Sequence, residues 1–191
     1  ITVLKNLDEY IGLNDVDFAI SVQYHEILRP IHLQKANCYN VNLHMAPLPK
    51  YRGCNQFSFA IVNEEKEFGT TLHLMDEGID SGGKIFEKRF PIPHDIWVKE
   101  LVDLTEKHSF EMFVENIKHI IDEKFEVMSE RCYSKDKYFY KRNDINKIKK
   151  VDLSWSKKKL ERYIRATSMP GFSGPFVIVD GKMIKFEMTD I

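Results

Sequence analysis

The spacing of apolar residues changes period along this chain, and that change limits the folds open to it. Residues 15–22, DVDFAISV, form a nearly continuous apolar run of strand length, the pattern of a strand buried on both faces. Residues 38–44, CYNVNLH, predict a second strand, ended by Pro47 and Pro49, which cannot donate to a sheet ladder. TTLHLM at 70–75 and KIFEKRFPI at 84–92 predict a third and a fourth. From Asp95 to about Val127 the period is helical instead. Trp97, Leu101, Leu104, Phe113, Ile117, Ile120 and Ile121 recur at three- and four-residue intervals, which predicts a long amphipathic helix with a break near Ser109. NQFSFAIVN at 55–63 fits a helix with Phe59, Ile61 and Val62 inward, and its β-branched and aromatic content keeps a strand as the rival. Strands interleaved with helices predict an α/β sheet with crossover connections, whose ligands bind just after strands.

Beyond residue 129 the texture becomes polar and Lys-rich, the composition of a solvated linker. A short helix, SKKKLERYIRAT, follows, then the turn-rich MPGFSGP and two short apolar runs around Asp180-Gly181. Asp-Gly suits the positive φ angles of a type I′ turn, so this end reads as a β-hairpin. The expected division is a core over 1–128 and a C-terminal unit over 129–191. That unit is too small for its own core and is expected to pack on the main domain or on a second subunit.

Composition excludes several functions. The 191 residues carry 28 Lys and Arg against 29 Asp and Glu, whereas coating nucleic acid needs a basic surplus to displace counterions from phosphates. No run approaches the roughly 20 apolar residues that span a bilayer. Cys38, Cys54 and Cys132 lack the spacing of a zinc knuckle or a disulfide framework, and read as free thiols in a reducing cytoplasm.

Two clusters look like chemistry. The first is NLHMAPLPKYRGCNQ, residues 42–56. Strand alternation puts Asn42 and His44 on one side, and the proline-ordered loop after them carries Lys50, Arg52, Asn55 and Gln56. The second is DEGIDSGG, residues 76–83, directly after the third strand. A carboxylate there is placed to orient His44 and stabilise its imidazolium. The spacing of a calcium loop, a P-loop, a serine nucleophile elbow and G-x-G-x-x-G are all missing from the chain.

The run NLHMAPLPKYRGCNQFSFAI, with FGTTLHLMDEGIDSGGKIFEKRFPI after it, closely resembles the formyltransferases that use 10-formyltetrahydrofolate. The family's Asn-x-His before a Leu-Pro-x-x-[Arg or Lys]-Gly loop, and its Asp in a Gly-x-Asp-x-Gly loop, are met at Asn42, His44 and Asp80. The resemblance implies a Rossmann-like core with a small C-terminal helix and hairpin appendage. It implies Asn42, His44 and Asp80 as the catalytic set, no metal, and a pterin lying along Tyr24, Glu26, Ile27, Leu28, Glu77 and Ile79. Lys50, Arg52, Asn55 and Gln56 are then the candidates for holding the second substrate.

The continuation RGCNQFSFAI and the short C-terminal region look like the sugar N-formyltransferases. These act on nucleotide-linked amino sugars, especially dTDP-linked 3-amino or 4-amino 6-deoxyhexoses, for surface polysaccharide. The other readings are a methionyl-tRNA formyltransferase, and a non-catalytic relative that binds folate or nucleotide-sugar. The resemblance also implies a cytoplasmic homodimer joined through the hairpin. The family core opens with a strand, a helix and a strand upstream of the point where this chain begins, so the sequence is expected to lack that first part.

Overall fold

A computed structural model describes residues 2–128 and 138–186. The boundary expected after residue 128 abuts the segment 129–137, and Cys132 lies within it, outside the described residues. The chain begins with a short helix α1 (Leu7–Gly12), whose Asn6 side chain caps it by accepting from Glu9 N–H. Strand β1 (Val16–Val22) is followed by the one-turn helix α2 (Pro30–Leu33) and by β2 (Ala36–His44). The two-residue strand β3 (Arg52–Gly53) leads into α3 (Gln56–Val62), so the helical alternative is the one adopted there. Strands β4 (Glu67–Leu74) and β5 (Lys84–Pro91) come next, then the long helix α4 (Val98–Ile121).

The main sheet has the order β1-β2-β4-β5. Only β1 and β2 are parallel; β2–β4 and β4–β5 are antiparallel, so the sheet is mixed rather than built wholly on parallel crossovers. Within the described residues β1 is an edge strand and stays half-buried, with Asp17 and Val22 exposed. The expectation of burial on both faces fails, since none of the seven residues of β1 is fully buried.

One core cluster joins Tyr51, Phe59, Phe68, Phe90 and Leu101 with Ile148 and Ala166 from the C-terminal region. A second gathers Val41, Leu43, Leu72, Ile85, Met112 and Ile120. Helix α4 contributes to both, through Leu101 and through Met112 and Ile120. Its N-terminus is closed by Glu100, whose carboxylate accepts from Trp97 N–H at 2.8 Å and places negative charge at the positive end of the helix dipole.

Helix α4 runs unbroken through Ser109, contrary to the expected break. The Ser109 hydroxyl is buried and satisfied by donating to Thr70 Oγ1 at 2.8 Å, and Thr70 in turn donates to the His44 carbonyl at 3.1 Å. A polar residue on the inner face thus fastens the helix to the sheet instead of interrupting it.

After the undescribed segment come β6 (Phe139–Tyr140), a 3-10 turn, α5 (Ile145–Lys149) and α6 (Lys157–Thr167). The hairpin is β7 (Phe176–Val179) and β8 (Lys182–Lys185), and Asp180 and Gly181 take φ of 49° and 75°, as the turn chemistry predicted. β6 pairs in parallel with β3, and Ile148 and Ala166 enter the first core cluster, so this end packs on the main body. No helix among the described residues is long and apolar enough to cross a membrane.

Candidate active site

Strand register builds the site. Asn42 lies opposite His73 on β4, and cross-strand partners present their side chains to the same face. His44, two residues along β2, shares that face. The 75–83 loop leaves β4 and returns at Gly83, whose carbonyl accepts from Leu74 N–H at 2.8 Å. Gly82 packs so closely there that a Cβ would sit 1.8 Å from the Leu74 carbonyl oxygen. Asp76 ties the loop internally, accepting from Ser81 Oγ at 2.6 Å and from Gly78 N–H at 3.0 Å. The result swings Asp80, in the left-handed region at φ 48°, over the sheet face. Asp is among the residues that tolerate this conformation.

Asp80 then sits between three side chains. Its Oδ1 lies 3.5 Å from Asn42 Nδ2, 3.6 Å from His44 Nδ1 and 3.7 Å from His73 Nε2. Its Oδ2 accepts from the Gly53 backbone N–H at 2.8 Å. One carboxylate oxygen is therefore fixed by the loop, and the other faces all three nitrogens at a distance slightly beyond a strong hydrogen bond.

The protonation pattern follows from the neighbours. His73 Nδ1 lies 2.7 Å from the Leu74 carbonyl, which can only accept, so that nitrogen carries the hydrogen and Nε2 is free to accept from Asn42 Nδ2 at 3.1 Å. By the same reasoning His44 Nε2 donates to the Tyr51 carbonyl at 2.9 Å, which leaves Nδ1 as the basic nitrogen, turned toward Asp80. Burial pushes the His44 imidazole below its ordinary value, against the opposing attraction of Asp80 and the bond to Tyr51. Burial would raise Asp80, but the attraction of a protonated His44 and the hydrogen bond from the Gly53 N–H hold its carboxyl well below the usual range. Burial disfavours charge on His44 and the adjacent carboxylate favours it, so a proton taken up at Nδ1 is stabilised by Asp80, as a general base requires.

Sequence reasoning brought together Asn42, His44 and Asp80, and the structure places all three on one face. It missed His73, whose role depends on antiparallel register, and the two threonines beside it. Thr71 Oγ1 donates to the Ala46 carbonyl at 2.8 Å and accepts from Leu48 N–H at 3.1 Å, fixing the loop that follows His44.

The expected binding residues lie on the segments that follow β1, β2 and β4. Val22 of β1 lies opposite Leu43, so the segment bearing Tyr24, Glu26, Ile27 and Leu28 leaves the sheet at the end where Asn42 and His44 lie. Tyr24 donates its hydroxyl to Glu26 at 2.7 Å, and Ile27 stands 66% exposed. Glu77 and Ile79 are exposed on the 75–83 loop. Arg52 holds that loop, giving hydrogen bonds from Nε and Nη2 to the Ile79 carbonyl at 2.9 and 2.8 Å. Asn55 donates to the Lys141 and Arg142 carbonyls, both at 3.0 Å, and Lys50 pairs with Glu65 at 3.3 Å. Gln56 opens α3, half-buried. Among the described residues, no group of three or more His, Cys, Asp or Glu side chains is arranged to hold a metal ion.

Residues 2–117 match the formyl transferase family model. Over the whole chain, the protein is 29% identical to GDP-perosamine N-formyltransferase of Brucella melitensis biotype 1, spanning 73% of that enzyme. A 132-residue stretch is 32% identical to methionyl-tRNA formyltransferase of Clostridium tetani, covering 66% of this chain and 42% of that one. Among solved structures, the N-formyltransferase from Helicobacter canadensis in complex with folinic acid and dTDP-3-aminofucose superposes with a TM-score of 0.77 at 26% identity, covering 95% of this chain and 65% of that one. The chain belongs to the formyl transferase family.

Proposed function

We propose that this protein transfers a formyl group from 10-formyltetrahydrofolate to the amine of a nucleotide-linked amino sugar. The observation that carries the chemistry is Asp80 Oδ1, held by the Gly53 loop within 3.5 to 3.7 Å of nitrogens of Asn42, His44 and His73. That arrangement unites an amide donor with a base backed by a carboxylate on one face. Direct attack by a neutral amine on a formyl carbon is accelerated by both parts.

In the proposed reaction the amine nitrogen bonds to the formyl carbon, and the bond from that carbon to N10 of the folate then breaks. The products are a formamide and tetrahydrofolate. His44 Nδ1 takes the proton that the amine sheds and returns it toward the departing nitrogen, while Asp80 stabilises the imidazolium formed between these steps. Asn42 Nδ2 has two hydrogens; one is engaged by His73 Nε2, and the other, only weakly held by Asp80 Oδ1 at 3.5 Å, turns from it to donate to the oxygen that gains negative charge. The protein contributes position and electrostatics, and the folate carries the one-carbon unit.

Support for a sugar acceptor comes from the match of this chain to 73% of a perosamine enzyme and from the structural likeness to an enzyme bound to an aminofucose nucleotide. The two relatives' names carry GDP in one case and dTDP in the other, and the dTDP-linked 3- or 4-amino-6-deoxyhexose implied by the sequence resemblance is the finer form of this proposal. Surface polysaccharide would be the destination of the product. A cytoplasmic location is supported by the free thiols Cys38 and Cys54. A homodimer is supported by the hairpin, where Ile178, Val179, Met183 and Ile184 are 38 to 55% exposed. The test is to follow tetrahydrofolate release against dTDP-, GDP- and UDP-linked amino sugars, with initiator methionyl-tRNA as the competing acceptor. Turnover with a nucleotide-sugar supports the reading, and turnover with the tRNA alone overturns it.

A further inference from the structure

We propose that Tyr51 is a positioning residue for His44, acting through its backbone carbonyl and secured by its hydroxyl to Glu65. The proposal rests on the catalytic reading of His44 above. Tyr51 is 1% exposed and sits in the left-handed region at φ 60°, a conformation that a bulky residue adopts only when its surroundings hold it there. In this conformation its carbonyl accepts from His44 Nε2 at 2.9 Å. That bond sets the imidazole tautomer and leaves Nδ1 as the nitrogen facing Asp80.

What holds the turn is the far end of the side chain. The Tyr51 hydroxyl donates to Glu65 Oε1 at 2.8 Å and accepts from Asn63 Nδ2 at 3.0 Å. Its ring packs edge-on against Phe68 and stacks on Tyr140, with centroids 5.7 and 5.8 Å away. Glu65 is also paired with Lys50 Nζ at 3.3 Å. The turn after α3, where Asn63 and Glu65 lie, therefore reaches the reacting imidazole through a single side chain. A hydroxyl serving only to satisfy a buried group would have no such reach. Here the same residue offers one end to the α3 turn and the other to the base.

The consequence is specific. The bond to Tyr51 favours the protonated imidazole, because the carbonyl accepts more strongly from a cation. Loosening it lowers the affinity of His44 for a proton and lets the ring rotate out of line with Asp80.

The experiment compares Tyr51→Phe, Glu65→Ala and Glu65→Gln in the full-length protein, using histidine labelled with 15N. Two readouts are taken, the NMR titration of His44 and steady-state turnover. Tyr51→Phe and Glu65→Ala are expected to move the His44 titration to lower pH and to lower kcat about tenfold, with KM for both substrates within twofold. Glu65→Gln keeps an oxygen acceptor for the hydroxyl and should restore both readouts to within about twofold of the parent. Folded Tyr51→Phe and Glu65→Ala proteins with an unshifted His44 titration would overturn the proposal, as would Glu65→Gln behaving like Glu65→Ala. The titration needs no substrate, so absent turnover in the parent protein would count against the formyl-transfer reading while leaving this coupling testable.

Discussion

Residues 1–128 carry 13 Lys and Arg against 21 Asp and Glu, whereas residues 129–191 carry 15 against 8. The near-neutral total is a cancellation between an acidic part, which contains Asn42, His44, His73 and Asp80, and a basic part. Packing does not divide the same way: the C-terminal part leaves Leu153 and Phe172 58% and 74% exposed, but the site-bearing part leaves Ile27 and Phe110 66% and 69% exposed, and Ile148 and Ala166 join the core. Net charge alone therefore does not choose between a small acceptor and a polyanion within this family. The proposed chemistry rests on the geometry of the acidic part, and a polyanionic acceptor would find its complementary charge in the basic part.

The largest effects belong to the acidic part. His44→Ala and Asp80→Ala should each lower turnover by on the order of 100-fold to 1,000-fold, the range seen when a charge-stabilising group is removed, while the circular dichroism spectrum stays that of the parent. Asn42→Ala is expected near the lower end of that range. Loss of less than threefold in these variants would place the chemistry elsewhere.

Gly82→Ala comes next, because its new methyl would overlap the Leu74 carbonyl and push the loop carrying Asp80 off the sheet. A loss of about 2 kcal/mol, read as a drop in Tm of roughly 5 °C, is expected for a forced backbone shift of this kind.

Acidity gives a graded test. His44 is depressed in the folded state, so it remains a base as the pH falls below the ordinary imidazole value of about 6.5. The acid limb of turnover should lie below that pH. The folded pKa values of His44 and Asp80 are both below their unfolded ones, so the unfolded chain binds more protons on acidification. The stability they contribute is present above their unfolded values and is lost as the pH falls through the folded ones. Urea unfolding at a series of pH values checks the sign, and an increase in stability toward acid would contradict it.

The smallest expected effect lies in the basic part. Replacing Lys157, Lys158 and Lys159 with Glu should change kcat/KM for a nucleotide-sugar by less than twofold. A loss above tenfold that deepens with salt, with initiator methionyl-tRNA as acceptor, would shift the reading to a macromolecular substrate.

Much of this was legible in the sequence because it depends on local pattern. Asn42 and His44 share a face through the two-residue period of a strand, and the hairpin follows from Asp180-Gly181 between two short apolar runs. His73 escaped because its place opposite Asn42 is a matter of antiparallel register between strands about thirty residues apart, which no local spacing encodes. Ser109 looked like a helix breaker for a related reason. A polar residue on an apolar face reads as an interruption until its partner, Thr70, is seen on the neighbouring sheet. Tyr51 escaped as well, since its left-handed backbone and its hydroxyl contacts to Glu65 and Asn63 beyond α3 are not encoded in local spacing.

The most direct test of the central claim is single-turnover mixing of the protein with 10-formyltetrahydrofolate and a nucleotide-linked amino sugar, in parent and His44→Ala forms. The account predicts stoichiometric formamide and tetrahydrofolate from the parent and at least a 100-fold slower rate from the variant. Equal rates in the two proteins would contradict it.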